Sequence, residues 1–246
     1  MKHISTTSYF KKAWETVKAN FFKIVVATAV LFIIQAVLEF FSKEEENGTM
    51  TLEMGILSLV VSITSLIIGV AVTSATIKIV RGAPVTMNAL TITPQQVLRY
   101  FGVIVILGLI LLAFVIPLVV LGVSLGVASF VPSLAMDSGV ISFLAILAVA
   151  VVFLMYVQLR VMFATYLVID GKTGIFESIK TSWSMTQGKI GFLVLFTIQA
   201  VLITLLGVLA LMVGLLIAIP VTALAIGYLY VSLVDHHGKK IEEVKE

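Results

Sequence analysis

Residues 190–234 read IGFLVLFTIQAVLITLLGVLALMVGLLIAIPVTALAIGYLYVSLV, 45 residues without one charged side chain. As a single helix this run would be about 67 Å long at about 1.5 Å per residue. A bilayer's hydrocarbon core is about 30 Å thick and takes about 20 residues to cross. The run must therefore be two spans, with the turn expected between Gly207 and Pro220, near Gly214.

Four more apolar runs precede it, at residues 24–40, 52–80 (or 55–80), 101–130 and 140–169, the second carrying Glu53 near its start. Six crossings result. The 246-residue chain is 60% hydrophobic and 12% charged, with a mean hydropathy of +1.18. Soluble domains are about half apolar and about a quarter charged, so lipid must act as part of the solvent. The segments between the runs are too short for a soluble domain, and the whole reads as one polytopic membrane domain, residues 1–246. The first run follows a mixed polar segment with no small-residue cleavage site after it, so it reads as an uncleaved anchor. Cysteine is absent, which removes disulfides, thiolate metal sites and cysteine nucleophiles together.

Charge placement tests the count. The net charge is only +3, yet of sixteen Lys and Arg residues every one but Lys43 falls on the side of the two termini if there are six spans. Positive residues collect on the cytoplasmic side. The sequence therefore predicts a multi-pass protein of a bacterial cytoplasmic (inner) membrane with both termini cytoplasmic. The loop with Glu44, Glu45, Glu46 and the Asn47-Gly48-Thr49 tripeptide, and that with Asp137, then face outward; the tripeptide is read as a chance match to the glycosylation pattern.

Each odd-numbered span follows a segment of amphipathic character. Phe10, Trp14, Val17 and Phe21 share one helical face opposite Lys11, Lys12, Glu15 and Lys18. Ile175, Phe176, Ile179 and Trp183 repeat the pattern opposite Glu177, Lys180 and Ser184, and Gly188 ends that helix. In the middle copy, Thr93, Pro94 and Gln96 supply a capping hydroxyl, a first-turn proline and a reciprocal glutamine. The fold class expected is thus all-α integral membrane, six transmembrane helices as three hairpins, each preceded by an interfacial amphipathic helix. The repeat-like units cover about residues 5–80, 90–169 and 173–234. The interfacial helices are read as anchors, with a lateral gate or lipid-sensing collar as the functional alternative.

Within the spans, Arg160 needs a partner wherever it sits, because an unpaired arginine in hydrocarbon costs about 2.5–3.5 kcal/mol on insertion scales. Asp170 and an anionic lipid phosphate are the two candidates, as a structural ion pair or a lipid-binding site. Pro117 and Pro220 are candidate helix kinks, since each frees a carbonyl one turn earlier. Gln35, Gln158 and Gln199, with Glu39, are the other polar groups in the spans, and glutamines there usually bond a neighbouring helix. Gly122 and Gly126, and Gly207, Ala210 and Gly214, are small residues at spacings that let helices approach closely.

No catalytic constellation, cofactor motif or metal site is legible. His3, His236 and His237 lie at the chain ends away from any ligand spacing. The basic residues follow the membrane side rather than forming a nucleic-acid footprint.

RVMFATYLVID at 160–170, ESIKTSWSMTQG at 177–188 and GLLIAIPVTALAIGY at 214–228 together resemble the membrane domain of glycerophosphoryl diester phosphodiesterases and related uncharacterised bacterial inner-membrane families. The resemblance covers residues 155–234 well and the first half in layout only. In those enzymes hydrolysis belongs to a separate soluble barrel, so the resemblance implies a membrane module without its own chemistry. The expected function is a non-enzymatic module that binds membrane lipids or another membrane protein, with no cofactor. The competing reading is a permease for a small amphipathic solute, using Pro117 and Pro220 as moving parts and a polar mid-depth cavity reaching Gln35, Gln158 or Gln199. A third is a hydrolase, which would need Asp170 and Glu177 to converge.

Overall fold

The computed structural model describes residues 5–41, 52–129, 136–210 and 213–243. Among them the chain is all-helical: α1 (Thr6–Ala19), α2 (Phe21–Phe41), α3 (Leu52–Val80), α4 (Pro94–Ser129), α5 (Met136–Val161), α6 (Ala164–Ile169), α7 (Ile175–Met185), α8 (Ile190–Leu209) and α9 (Leu215–Glu243), with a 3-10 turn at Met87–Leu90. Six stretches are long and apolar enough to cross a membrane: Phe21–Phe40, Gly55–Val80, Pro94–Leu121, Ala145–Ile169, Ile190–Leu209 and Leu215–His237. A backbone in hydrocarbon must pair its amides within its own segment, which is why these runs are helices. The fold is that of a multi-pass integral membrane protein.

The 45-residue run divides where expected, α8 ending at Leu209 and α9 starting at Leu215. Small residues permit the tight return. A Cβ on Gly207 would lie 2.8 Å from the Ala218 Cβ, and one on Gly214 would lie 2.7 Å from the Gly207 carbonyl oxygen. Consecutive spans touch elsewhere too: Gln35 Nε2 donates to Ser65 Oγ at 2.8 Å between α2 and α3. The Phe114 and Phe153 rings lie 4.9 Å apart between α4 and α5.

α9 is the hub. It packs against α1, α2, α3, α7 and α8, with Ala218, Leu224, Ala225, Leu229 and Tyr230 buried in the core. Gly227 lets α3 close in, because a Cβ there would meet Thr76 Cγ2 at 2.6 Å.

Two expectations need correction. In the middle unit the leading segment and the span are one helix, α4, which starts at Pro94 rather than near residue 101. The Thr93 N–H donates to Gln96 Oε1 at 2.8 Å, so the capping pair marks the start of the span itself. The fourth run is not continuous: α5 stops at Val161, Met162 and Phe163 form a turn, and α6 resumes at Ala164.

The face expected of the leading segment is inward in part: Phe10 and Val17 of α1 are enclosed, but Trp14 of α1 and Phe21 at the start of α2 are not. Thr6, Tyr9, Phe10, Ala13 and Val17 are buried, while Trp14 and Phe21 point outward, 40% and 45% exposed. α1 leans on α8 and α9, stacking Phe10 on Phe196 at 4.8 Å and pairing the Tyr9 and Ser232 hydroxyls at 3.0 Å. In α7 the enclosed face is Ser178, Ser182 and Met185, and Phe176 and Trp183 face outward.

Candidate functional site

The break between α5 and α6 exposes a carbonyl and an amide that a continuous helix would have paired. Both find the same hydroxyl. Ser182 Oγ donates to the Arg160 carbonyl at 2.8 Å and accepts the Phe163 N–H at 3.2 Å. Ser182 is fully buried, as is Thr186, whose hydroxyl also faces the Arg160 carbonyl at 3.4 Å. Buried backbone groups must be paired, so α7 supplies what the broken span lacks. That explains why α7 turns a serine face inward: its inward hydroxyls complete the backbone of its neighbour.

Arg160 sits in the last turn of α5 and is 8% exposed. Its Nε and Nη2 donate to the Tyr156 hydroxyl at 3.1 and 2.9 Å, and its Nη1 to the Trp183 carbonyl at 3.3 Å. The guanidinium also lies 5.2 Å from both the Tyr156 and the Trp183 ring centroids. Arginine is well suited to such stacking. Asp170, one of the two partners the sequence offered for Arg160, does not meet it, because the break and α6 come between them and Asp170 is engaged by Arg81.

Asp170 follows α6 directly, and its side chain is 4% exposed. The guanidinium of Arg81, the first residue after α3, grips it bidentately, with Nη2 on Oδ2 at 2.6 Å and Nη1 on Oδ1. The Tyr230 hydroxyl of α9 donates to Oδ2 at 2.9 Å, and Lys172 Nζ lies 3.5 Å away. Burial pushes the Asp170 carboxyl up, but the hydrogen bonds from Arg81 and Tyr230 and the charges of Arg81 and Lys172 outweigh it, leaving the carboxyl below its ordinary value. The hydrogen bond to Asp170 raises Arg81, against the opposing effect of burial. One carboxylate thus joins the ends of α3 and α6 to α9. Gln96 reinforces the joint, its Nε2 donating to the Ile169 carbonyl at 2.8 Å.

Arg81 was legible in sequence only as one of the positive residues. The available signal was positional: it follows the second span as Asp170 follows the fourth. Ser182 carried no comparable mark, since a serine on an amphipathic helix is ordinarily assigned to solvent.

A groove of about 700 Å³ opens between α4, α5 and α8, lined mainly by apolar residues including Leu107, Leu111, Phe114, Leu154 and Ile198. Gln158, Thr165 and Thr197 are its polar lining residues. Gln158 is the expected glutamine that reaches a cavity. Gln35 is bonded to Ser65 and Glu39, and Gln199 Nε2 lies 3.4 Å from Thr7 Oγ1.

Pro117 and Pro220 lie inside helices that continue past them, and neither coincides with the break at residues 162–163. Gly207, Ala210 and Gly214 serve the α8–α9 return, and the side-chain surroundings of Gly122 and Gly126 fall outside the described residues, as do the Asn47-Gly48-Thr49 and His3 positions. Glu177 reaches back to the Gly174 N–H at 3.5 Å, so it and Asp170 serve separate structural tasks. Among the described residues, no group of three or more His, Asp or Glu side chains could hold a metal. Compared with known proteins, the chain matches no family model, no curated protein and no solved structure.

Proposed function

We propose that this chain is a non-enzymatic lipid-binding module of a bacterial inner membrane, its six spans arranged as three hairpins with both termini cytoplasmic. One observation carries the reading: the groove between α4, α5 and α8 is about 700 Å³ and mainly apolar. Pockets of this size hold a small ligand or part of a larger one. The groove is walled by membrane-spanning stretches, and acyl chains are the solvent there, so an acyl chain is the occupant its lining suits.

The leading segments support an anchoring role. Trp14, Phe176 and Trp183 are all partly exposed at the surface, and aromatic rings beside lysines are the usual occupants of the headgroup layer. The asymmetry of Lys and Arg supports the orientation. A permease would be better served by a polar cavity at mid-depth, and of the three span glutamines Gln158 alone lines this groove.

Gly108 gives the test. It lines the groove, and a Cβ added there meets nothing within 4 Å. Gly108→Leu should therefore fill the groove without disturbing the fold. Native mass spectrometry of the protein extracted with its own lipids should show about one fewer retained phospholipid per chain. An unchanged lipid count in a properly folded variant would overturn the proposal, and loss of a co-purifying protein instead would point to a partner helix as the occupant.

A further inference from the structure

A second cavity, of about 450 Å³, lies away from the groove, where the end of α1, the start of α2, the loop after α3 and α9 meet. Its lining has a different chemistry. Lys12 and Glu15 come from α1, Asn20 from the α1–α2 joint, Lys23 from α2, Pro84 from the loop and Tyr228 from α9. Ile79 and Val85 also line it and pack on the main hydrophobic core. It combines a charged rim with apolar contacts.

The hydroxyls satisfy each other: Thr16 Oγ1 donates to the Lys12 carbonyl at 3.0 Å and stands 2.8 Å from the Tyr228 hydroxyl. The ammonium groups do not. Among the described residues, neither Lys12 nor Lys23 has an ion-pair partner, so two lysines and one glutamate, Glu15, line one cavity with a surplus positive charge. Lys23 lies in the first turn of the Phe21–Phe40 span, and Ile79 is next to the end of the Gly55–Val80 span. The cavity is therefore at the level where a spanning helix leaves hydrocarbon, which is where lipid phosphates lie.

We infer that this cavity binds the phosphate of a glycerophospholipid headgroup, held between Lys12 and Lys23, with the glycerol ester region against Ile79 and Val85. The site is independent of the groove proposed above, since it is built from other helices. Its charge surplus of one matches a phosphodiester monoanion. A free phosphate monoester would use the lysines but leave the apolar contacts unfilled.

The test uses the full chain in detergent, titrated with short-chain phosphatidylglycerol or with glycerol 3-phosphate and read by native mass spectrometry. Lys12→Gln with Lys23→Gln should weaken lipid retention roughly tenfold or more, on the scale expected for two lysines near an anionic headgroup. Lys11→Gln with Lys18→Gln removes the same charge from α1 outside the cavity and should leave retention unchanged. Equal weakening by the two double variants would reduce the effect to general surface charge and overturn the site. Binding of glycerol 3-phosphate as tight as that of the lipid would overturn the headgroup assignment. Gly108→Leu should leave this binding intact, so failure here and failure of the groove are separate results.

Discussion

The spans in α4 and α9 make an instructive contrast. The most apolar 18-residue window of the α4 span has a mean hydropathy of 3.4 and is 6% buried within the protein; that of the α9 span has 2.0 and is 50% buried. The more apolar helix is the peripheral one. In water this would be backwards, but lipid tails are as apolar as leucine, so hydropathy marks what faces the tails. Helices that face protein instead use small residues and hydrogen bonds. α9 does so with Ala218, Ala225, Gly227 and Tyr230, whereas α4 presents Leu109, Leu112, Ile116 and Val120 outward.

The contrast is most severely tested at two glycines. Gly227→Leu drives a side chain into Thr76 and Val80 of α3, and overpacking of this kind costs about 3 kcal/mol. Its melting temperature in detergent should fall far below that of Gly108→Leu in α4, which should stay near the wild type. Equal losses at the two positions would break the comparison.

A smaller loss is expected where α3, α6 and α9 are joined. Asp170→Asn leaves Arg81 and Lys172 without their carboxylate, at a cost of about 2 kcal/mol, kept at that level because the Arg81 side chain is 38% exposed. The pH dependence has a defined sign. With its folded value depressed, Asp170 contributes stability that is present above the unfolded carboxyl value of about 3.9 and is lost as pH falls through the folded value. Melting curves from pH 7 downward should lose that component in Asp170→Asn and in no other way change slope at acid pH; an identical acid profile would remove the joint from the energetics.

The smallest effect sharpens the account of α7. Ser182→Ala removes the bond to the Arg160 carbonyl and leaves the Phe163 amide without its acceptor, for about 1–2 kcal/mol. Accelerated proteolysis or hydrogen exchange should appear at residues 160–164 first. Protection there equal to the wild type would mean the break satisfies itself.

Legibility in the sequence followed the range of each cause. Spans depend on local composition, so the charge-free run at 190–234 announced both a pair of helices and the turn near Gly214. The Thr93 and Gln96 cap was equally local. The break at Met162 and Phe163 was invisible, because neither residue is a helix breaker and its support comes from Ser182, nineteen residues on. The carboxylate of Asp170 meets Arg81, 89 residues away, whereas nearness along the chain offered only Arg160 as its partner. In the leading segment Phe10 and Val17 do face inward, but the large rings of Trp14 on α1 and Phe21 on α2 do not, and small Ala13 and amphipathic Tyr9 complete the inward face.

The fork between Arg81 and Asp170 has a directional consequence. Two parallel hydrogen bonds fix not only a distance but an angle, so α3 cannot roll about its own axis without opening them. With Tyr230 bound to the same carboxylate, α3, α6 and α9 are pinned like the legs of a tripod at its apex. Freedom to swing therefore grows along α3 toward its far end, away from the fork.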